Sequence, residues 1–235
     1  MDAPPSALNP PRSLLKWQET IVWAKQHYRD RAFNKDESIP VRPGLLYWVQ
    51  CGAVLLTGNA KGMECSPHSH AEESAETFVG LIGAGYPFEI PDRSRIHFQA
   101  SARVDSTTVI WMYWHDLDNW PHFRSDVLDL FRDRYQRQLL LLTTLGQRRA
   151  LDRLWGFLVL LMEEYGQIVE GGVRFPYPLT HAQIGSAIGS TRVTVTRLIG
   201  RLRQQGLISI EEDNTICLLN SEDGSLGLQK PTSLV

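Results

Sequence analysis

The chain lacks the features that would place it in several large classes. No apolar run approaches membrane-spanning length, and nothing near its start reads as a secretion signal. Cysteine is scarce: Cys51, Cys65 and Cys217 are three in 235 residues, odd in number and far apart. That argues against a disulfide framework, and it leaves too few thiolates for an iron–sulfur cluster held by four cysteines. Neither sign of charge is in surplus, with 24 Lys and Arg against 26 Asp and Glu for a formal net charge of −2. So small a charge exerts no global pull on nucleic acid, and any such pull has to be local. No Ser/His/Asp set, phosphate-binding Gly loop or paired-carboxylate motif stands out. The expectation is a protein of a reducing cytoplasm that is not an enzyme. Its hydrophobic fraction of 43% suffices for one large core or two modest ones.

One stretch stands apart from this even background. Leu179 to Ile210, LTHAQIGSAIGSTRVTVTRLIGRLRQQGLISI, reads as helix, tight turn, helix, strand. Thr180 is an N-cap by residue type, and Gln183 three residues on completes a capping box. Ile184 and Ile188 sit one turn apart, with Ala187 between them, and predict an inward face. Gly189 breaks the pattern, because glycine enters a left-handed turn without steric cost. Ser190 or Thr191 caps a second helix, expected to about Gln205, with Val195, Leu198, Ile199 and Leu202 on one stripe. Gly206 supplies its stop. Two short helices about a glycine turn make a helix-turn-helix. From Leu179 to Gly206 there are four Arg and no Asp or Glu, a local basic island. The candidate DNA-contacting residues are Thr180, Ser190, Thr191, Arg192, Val193, Thr194, Thr196, Arg197 and Arg201. Hydroxyls and guanidinium groups suit phosphates and guanine edges. Arg203, near the helix end, suits the helix dipole and is assigned to phosphate or to nothing.

The rest of the chain falls into segments around this one. Residues 1–12 hold four Pro and read as a disordered tail. Ser13 caps a helix expected from Leu14 to about Arg31, on the spacing of Leu14, Trp17, Ile21, Ala24 and Tyr28. From Ser38 to Trp114 short apolar runs (LLYWVQ, AVLLTG, ETFVGLIG, RIHFQASA, TTVIWMYW) alternate with Gly, Pro and Asn and predict short antiparallel strands. Residues 13–117 thus form a first domain. Asp118 and Asn119 precede a long helix, within 118–146, that reaches about Leu145. Its Leu128, Phe131, Tyr135, Gln138, Leu142 and Leu145 step by three and four as a coiled-coil seam. Val127, Leu130 and Leu141 give a second apolar face, so the helix has two partners, the strands and a second copy. Gln147 to Tyr165 reads as another helix, with Leu151, Leu154, Trp155, Leu158, Met162 and Tyr165 in one stripe and Gly166 at its end. Gly171 to Pro178 is expected to be extended. Leu207 to Ile210 and Thr215 to Leu219 make a hairpin, the wing, whose acidic tip Glu211-Glu212-Asp213-Asn214 stays off phosphates. The DNA-binding domain is then 147–220, and 221–235 is a polar, Gly-rich tail. The fold class is α+β.

The segment AIGSTRVTVTRLIGRLRQQGLISI resembles the recognition-helix signature of the cyclic-AMP receptor / fumarate-nitrate regulator (CRP/FNR) superfamily. Gly189 to Arg197, GSTRVTVTR, is most similar to the cyanobacterial global nitrogen-control regulators. The likeness is strong over the last third of the chain and holds in outline elsewhere. It implies an amino-terminal cupin-like β-roll of the cyclic-nucleotide-binding kind, a long dimerisation helix and a carboxy-terminal winged helix-turn-helix. Gly44 to Leu56 resembles the roll's early strands, and Gly83 to Pro91 the turn that opens its effector pocket. The implied function is a homodimeric transcription regulator on palindromic double-stranded promoter DNA, with RNA polymerase as a further candidate partner and no membrane. The resemblance puts Arg192 and Arg197 on bases. Val193 replaces the Glu of cyclic-AMP receptor proteins, which moves the preferred site toward GTA…TAC half-sites.

Departures from the family bear on the effector. Aligning Ala100 and Ala102 on the family pattern puts Ile96 where the cyclic-phosphate Arg belongs. Arg95 is one position away, and a one-residue slip in a strand reverses its face. Cyclic AMP is therefore not expected to bind. For 2-oxoglutarate, the ligand of the nitrogen-control subgroup, Arg134 matches one helix position, but Leu139 stands where an acid belongs. Phe88, Arg95 and Arg134 are the candidate effector residues. A rival reading makes the roll a metal- or redox-dependent sensor or enzyme. Its ligands would be Cys65, His68 and His70 with Glu72 or Glu73, in a stretch whose Ser, Pro, Glu and Gly content fits a plain exposed loop better.

Overall fold

A computed structural model describes residues 18–59, 76–92, 96–211 and 213–220. The chain divides into two compact units, one ending at Gln136 and one beginning at Arg137. From the amino end the first unit holds α1 (Gln18–Gln26), β1 (Asp30–Phe33), β2 (Ser38–Ile39), β3 (Leu45–Cys51) and β4 (Ala53–Asn59). Next come β5 (Thr77–Gly83), β6 (Pro87–Phe88), β7 (His97–Ala102), β8 (Thr107–Tyr113), a 3-10 turn Trp114–Asn119 and the start of α2 (Pro121–Leu145).

The strands form two antiparallel four-stranded sheets, ordered β1-β8-β3-β6 and β2-β7-β4-β5. Alternation on β3 and β8 sets the layers. Leu46 lies opposite Met112, and Trp48 opposite Ile110. Side chains two apart share a sheet face, so these four point one way, where they meet Ala24, Leu117, Phe123 and Val127. Odd-numbered Tyr47, Val49, Val109 and Trp111 take the opposite face. The helices α1 and α2 thus cover one side of the first sheet.

Three expectations for this unit change. The leading helix ends at Gln26 rather than near Arg31, and Tyr28, expected on its apolar stripe, has φ 55° and is 89% exposed. Asp30–Phe33 pairs with Thr107–Ile110 instead, because a strand edge offers a row of backbone partners that an isolated last helical turn lacks. Phe131 packs on the roll, its ring 5.7 Å from Trp114, so it leaves the outer seam. Leu128, Tyr135 and Leu142 of the expected seam form an outer ridge joined by Leu139, each between 45% and 65% exposed. The tails 1–12 and 221–235 and the Cys65, His68, His70, Glu72 and Glu73 set lie outside the described residues.

The second unit holds the end of α2, then α3 (Ala150–Tyr165), β9 (Gln167–Val169), β10 (Gly172–Arg174), α4 (His181–Ile188), α5 (Arg192–Gln204), β11 (Ile208–Ile210) and β12 (Ile216–Leu219). Its sheet runs β11-β12-β10-β9, antiparallel throughout. The β9–β10 hairpin is unforeseen, since only an extended stretch was expected from Gly171. Its strands are three residues each, too short for alternation to reveal. The wing strands β11 and β12 agree with the sequence. So does the α3 stripe, in which Leu154, Trp155, Leu158, Met162 and Tyr165 are buried. Among the described residues no helix is long and apolar enough to cross a membrane.

Two helical glycines make opposite predictions. A Cβ on Gly185 would sit 2.7 Å from the Ser190 carbonyl oxygen, which is backbone and cannot swing away. Gly185→Ala is expected to destabilise α4 and α5 by about 1–3 kcal/mol, as overpacking does. A Cβ on Gly200 meets nothing within 4 Å. Gly200→Ala is expected to stabilise α5 by about 0.5–1 kcal/mol through helix propensity alone. Amide hydrogen exchange across α4 and α5 in the full-length chain reads both signs.

Candidate nucleic-acid interface

The helix-turn-helix is held by four local devices. At the start of α4, Thr180 Oγ accepts from the Gln183 backbone N–H at 3.2 Å. The Gln183 side chain in turn accepts from the Thr180 N–H at 2.9 Å, completing the capping box. At its end Gly189 adopts φ 62°, ψ 51°, and Ser190 N–H donates back to the Gly185 carbonyl. Of the two candidate caps for α5 the chain uses Thr191, whose Oγ accepts from Thr194 N–H at 3.2 Å. The exit is a Schellman motif: Leu207 N–H reaches the Leu202 carbonyl and Gly206 N–H the Arg203 carbonyl, with Gly206 at φ 68°.

Inward, Val195, Leu198, Ile199 and Leu202 are buried with Ile184 and Ile188. That burial fixes the rotation of α5 and turns the intervening positions outward. Arg192, Val193, Thr196, Arg197 and Arg203 are exposed, and Thr194 and Arg201 are half-buried. Val193 is 79% exposed, an apolar side chain with no partner in its own fold to explain it. The outer face therefore presents Arg192, Val193 and Arg197 together.

Hydrogen bonding sorts the hydroxyls that the sequence could only group. Thr191 donates to Thr194 Oγ at 3.0 Å while accepting the cap bond. Thr196 Oγ donates to the Arg192 carbonyl at 3.0 Å, and His181 Nδ1 lies 2.8 Å from Thr196 Oγ. With the Thr196 proton on that carbonyl, His181 is the donor, and the contact ties the first turn of α4 to the middle of α5. Thr191 and Thr196 are thus occupied in holding the motif. Thr180 uses its oxygen in the cap, and its O–H has no acceptor among the described residues.

Two residues that sequence reasoning missed set the motif in place. One is His181. The other is Arg153 on α3, which donates through Nε to the Ile188 carbonyl at 2.8 Å. Its Nη1 donates to the carbonyls of Gln147 and Arg148. A cation at the last carbonyls of α4 also suits the dipole of that helix. Ile188 lies 35 residues from Arg153 along the chain, so no local pattern announces that contact. At the wing, Asp213 accepts from the Thr215 N–H at 2.9 Å and from its hydroxyl at 2.5 Å. Those bonds hold its carboxyl below the usual carboxylate range. Glu211 pairs with Arg174 at 3.4 Å.

Of the candidate effector residues, Phe88 and Arg134 are among the described residues. Phe88 is 2% exposed and stacks on Tyr47 with ring centroids 5.0 Å apart, a packing role. Arg134 donates to the Leu81 carbonyl at 3.3–3.4 Å. Arg95 lies outside the described residues. Ile96 packs over Gly58, an apolar contact that offers an anion nothing.

Comparison with known proteins agrees with this geometry. Residues 152–223 match the family model of the Crp-like helix-turn-helix domain. The global nitrogen regulator of Synechocystis sp. (strain PCC 6803) is 45% identical over 71 residues, which are 30% of this chain and 32% of that protein. The chain spans about a third of the length of such curated relatives. Two solved structures share the fold over most of the chain. A CooA mutant from Carboxydothermus hydrogenoformans has TM-score 0.61 at 21% identity, covering 81% of this chain and 83% of that one. A cyclic nucleotide-binding domain containing protein from Listeria monocytogenes has TM-score 0.67 at 14% identity, covering 86% and 97%. Residues 152–223 thus match the Crp-like helix-turn-helix domain, on a chain that shares the fold of these two solved structures.

Proposed function

We propose that this chain is a sequence-specific DNA-binding transcription regulator of the CRP/FNR type, acting in the cytoplasm as a homodimer on a palindromic promoter site. The observation that carries the reading is the outer face of α5. Arg192, Val193 and Arg197 stand exposed on a helix rotated by its buried stripe, with no carboxylate between Leu179 and Gly206. Arg192 and Arg197 are the base-reading side chains, and Val193 offers apolar contact to a thymine methyl. Ser190, Thr194, Arg201 and the Thr180 O–H are the phosphate contacts, with Thr191 and Thr196 positioning the helix. The bonds at Asp213 and Glu211 turn these two wing acids to Thr215 and Arg174. The outer ridge of α2 supports the dimer, since apolar side chains at positions 128, 135 and 142 recur every seven residues. Promoter DNA, a second copy and RNA polymerase are the partners of such a protein. The metal-dependent alternative has no residue among those described.

The DNA reading predicts a division of labour. Arg192→Ala and Arg197→Ala each weaken binding to a GTA…TAC palindrome by about 1–3 kcal/mol and relax preference at one base position. Arg203→Ala weakens all sequences alike and lowers the salt slope by at most about one unit. Titrations over single-base variants at two salt concentrations measure both. An Arg197→Ala protein with an unchanged sequence profile overturns the assignment.

The dimer reading predicts that Tyr135→Glu with Leu142→Glu yields monomers in analytical ultracentrifugation that bind the palindrome poorly. Wild-type protein sedimenting as a monomer at micromolar concentration overturns it.

A further inference from the structure

The first sheet carries a cleft that the regulator reading does not use. It encloses about 400 Å³, and Arg29, Arg31, Phe33, Leu45, Tyr47, Trp111 and Tyr113 line it together with the Ile39–Arg42 segment. Every lining residue on β1, β3 and β8 is odd-numbered, so the cleft occupies the sheet face opposite the helices. Among the described residues neither Phe88 nor Arg134 lines it, although the Phe88 ring stacks on Tyr47 from behind.

Its chemistry is that of a receptor for one negative charge on a flat body. Arg29 is paired with Asp116, and its guanidinium sits over the rings of Trp23 and Tyr113. Arg31 is paired with Glu37 at 2.7 Å and lies over the Phe33 ring at 4.7 Å. Two of the three guanidinium charges are thus balanced. Arg42 has no ion-pair partner among the described residues, so the cleft keeps about one net positive charge. The Arg42 backbone N–H donates to the Tyr47 hydroxyl oxygen at 2.7 Å, which pins the segment carrying that charge. Pro40 and Pro43 stiffen it on both sides. Tyr47 is 2% exposed, and burial pushes its phenol up, so it keeps its proton at neutral pH. That proton has no acceptor among the described residues. A buried hydroxyl donor and the residue that carries the uncompensated charge are therefore hydrogen-bonded to one another, in a cleft lined by Trp111, Tyr113 and Phe33.

We propose that this cleft binds a small organic monocarboxylate with a planar apolar body, the carboxylate held by the Arg42 guanidinium and the Tyr47 hydroxyl. Guanidinium and carboxylate pair as two forks, and the hydroxyl supplies a further charge-assisted bond. The planar body lies against the aromatic walls, where Arg29 and Arg31 add cationic faces. A dianion such as phosphate would leave half its charge unmatched and fill none of the apolar volume.

Isothermal titration of the full-length chain with 2-naphthoate tests this. The expected result is one molecule per chain. Arg42→Gln weakens binding by about tenfold or more, the loss of one charged hydrogen-bonding partner. Arg42→Lys restores part of it, and Tyr47→Phe, which keeps the ring, also weakens it. The uncharged 2-naphthamide binds the wild-type chain about tenfold or more weakly, and excess inorganic phosphate leaves the naphthoate isotherm unchanged. The proposal is overturned if naphthoate does not saturate the chain, if Arg42→Gln binds it as wild type does, or if phosphate displaces it. It is equally overturned if naphthamide binds as tightly as naphthoate, a comparison that needs no variant to fold. DNA binding enters none of these readouts, so failure here leaves the regulator reading standing.

Discussion

The approach of the Ser190 carbonyl to Gly185 governs how this chain presents its recognition helix. With no side chain at Gly185 the turn folds flat onto α4, and Gly189 in the left-handed region reverses the chain at once. Thr191 then starts α5 within two residues. Each later feature of the interface depends on that tight geometry. The buried stripe of α5 reaches Ile184 and Ile188, His181 reaches Thr196, and Arg153 reaches the Ile188 carbonyl. A bulkier turn would separate all three contacts together, which is why small residues there matter more than their own burial suggests.

The same economy appears in the hydroxyls. The motif is rich in Thr, and composition alone assigns those side chains to phosphates. In the structure most of the bonding capacity of Thr191 and Thr196 goes inward, to caps and to a carbonyl one turn back. What remains exposed and uncommitted is Arg192, Val193 and Arg197. The outer face thereby carries two guanidinium groups and one apolar side chain, on a helix whose register the threonines hold still.

The roll follows a different rule, parity. Side chains of β3 and β8 two apart share a face, so one strand pair supplies a helix-facing core of Leu46, Trp48, Ile110 and Met112. On its other side it supplies the aromatic walls of a cleft. A single-residue register slip would exchange the two, and both faces are apolar enough to tolerate reading the sequence either way. The pairing of Arg29 and Arg31 with Asp116 and Glu37 gives the cleft face its polar rim and leaves Arg42 as the unmatched charge among the described residues.

The helix-turn-helix was legible in the sequence because its determinants are local. A capping box spans three residues, a glycine turn one, and an apolar stripe a dozen, so Thr180, Gln183, Gly189 and Gly206 announce their roles in order. The fold class, the strands of the roll and the two-faced helix α2 came from periodicity, which is also local. What tertiary structure decided is what depends on partners far along the chain. Tyr28 left its helix, and the segment after it, Asp30–Phe33, pairs with β8 some eighty residues away. Phe131 turned to the roll once Trp114 was beside it. Arg153 and His181 gained their roles only when α3, α4 and α5 packed, and the Arg42 cleft exists only because three odd-numbered strand faces meet. Local backbone chemistry fixes which elements form; burial and register across long sequence separations fix which side chains those elements bring together.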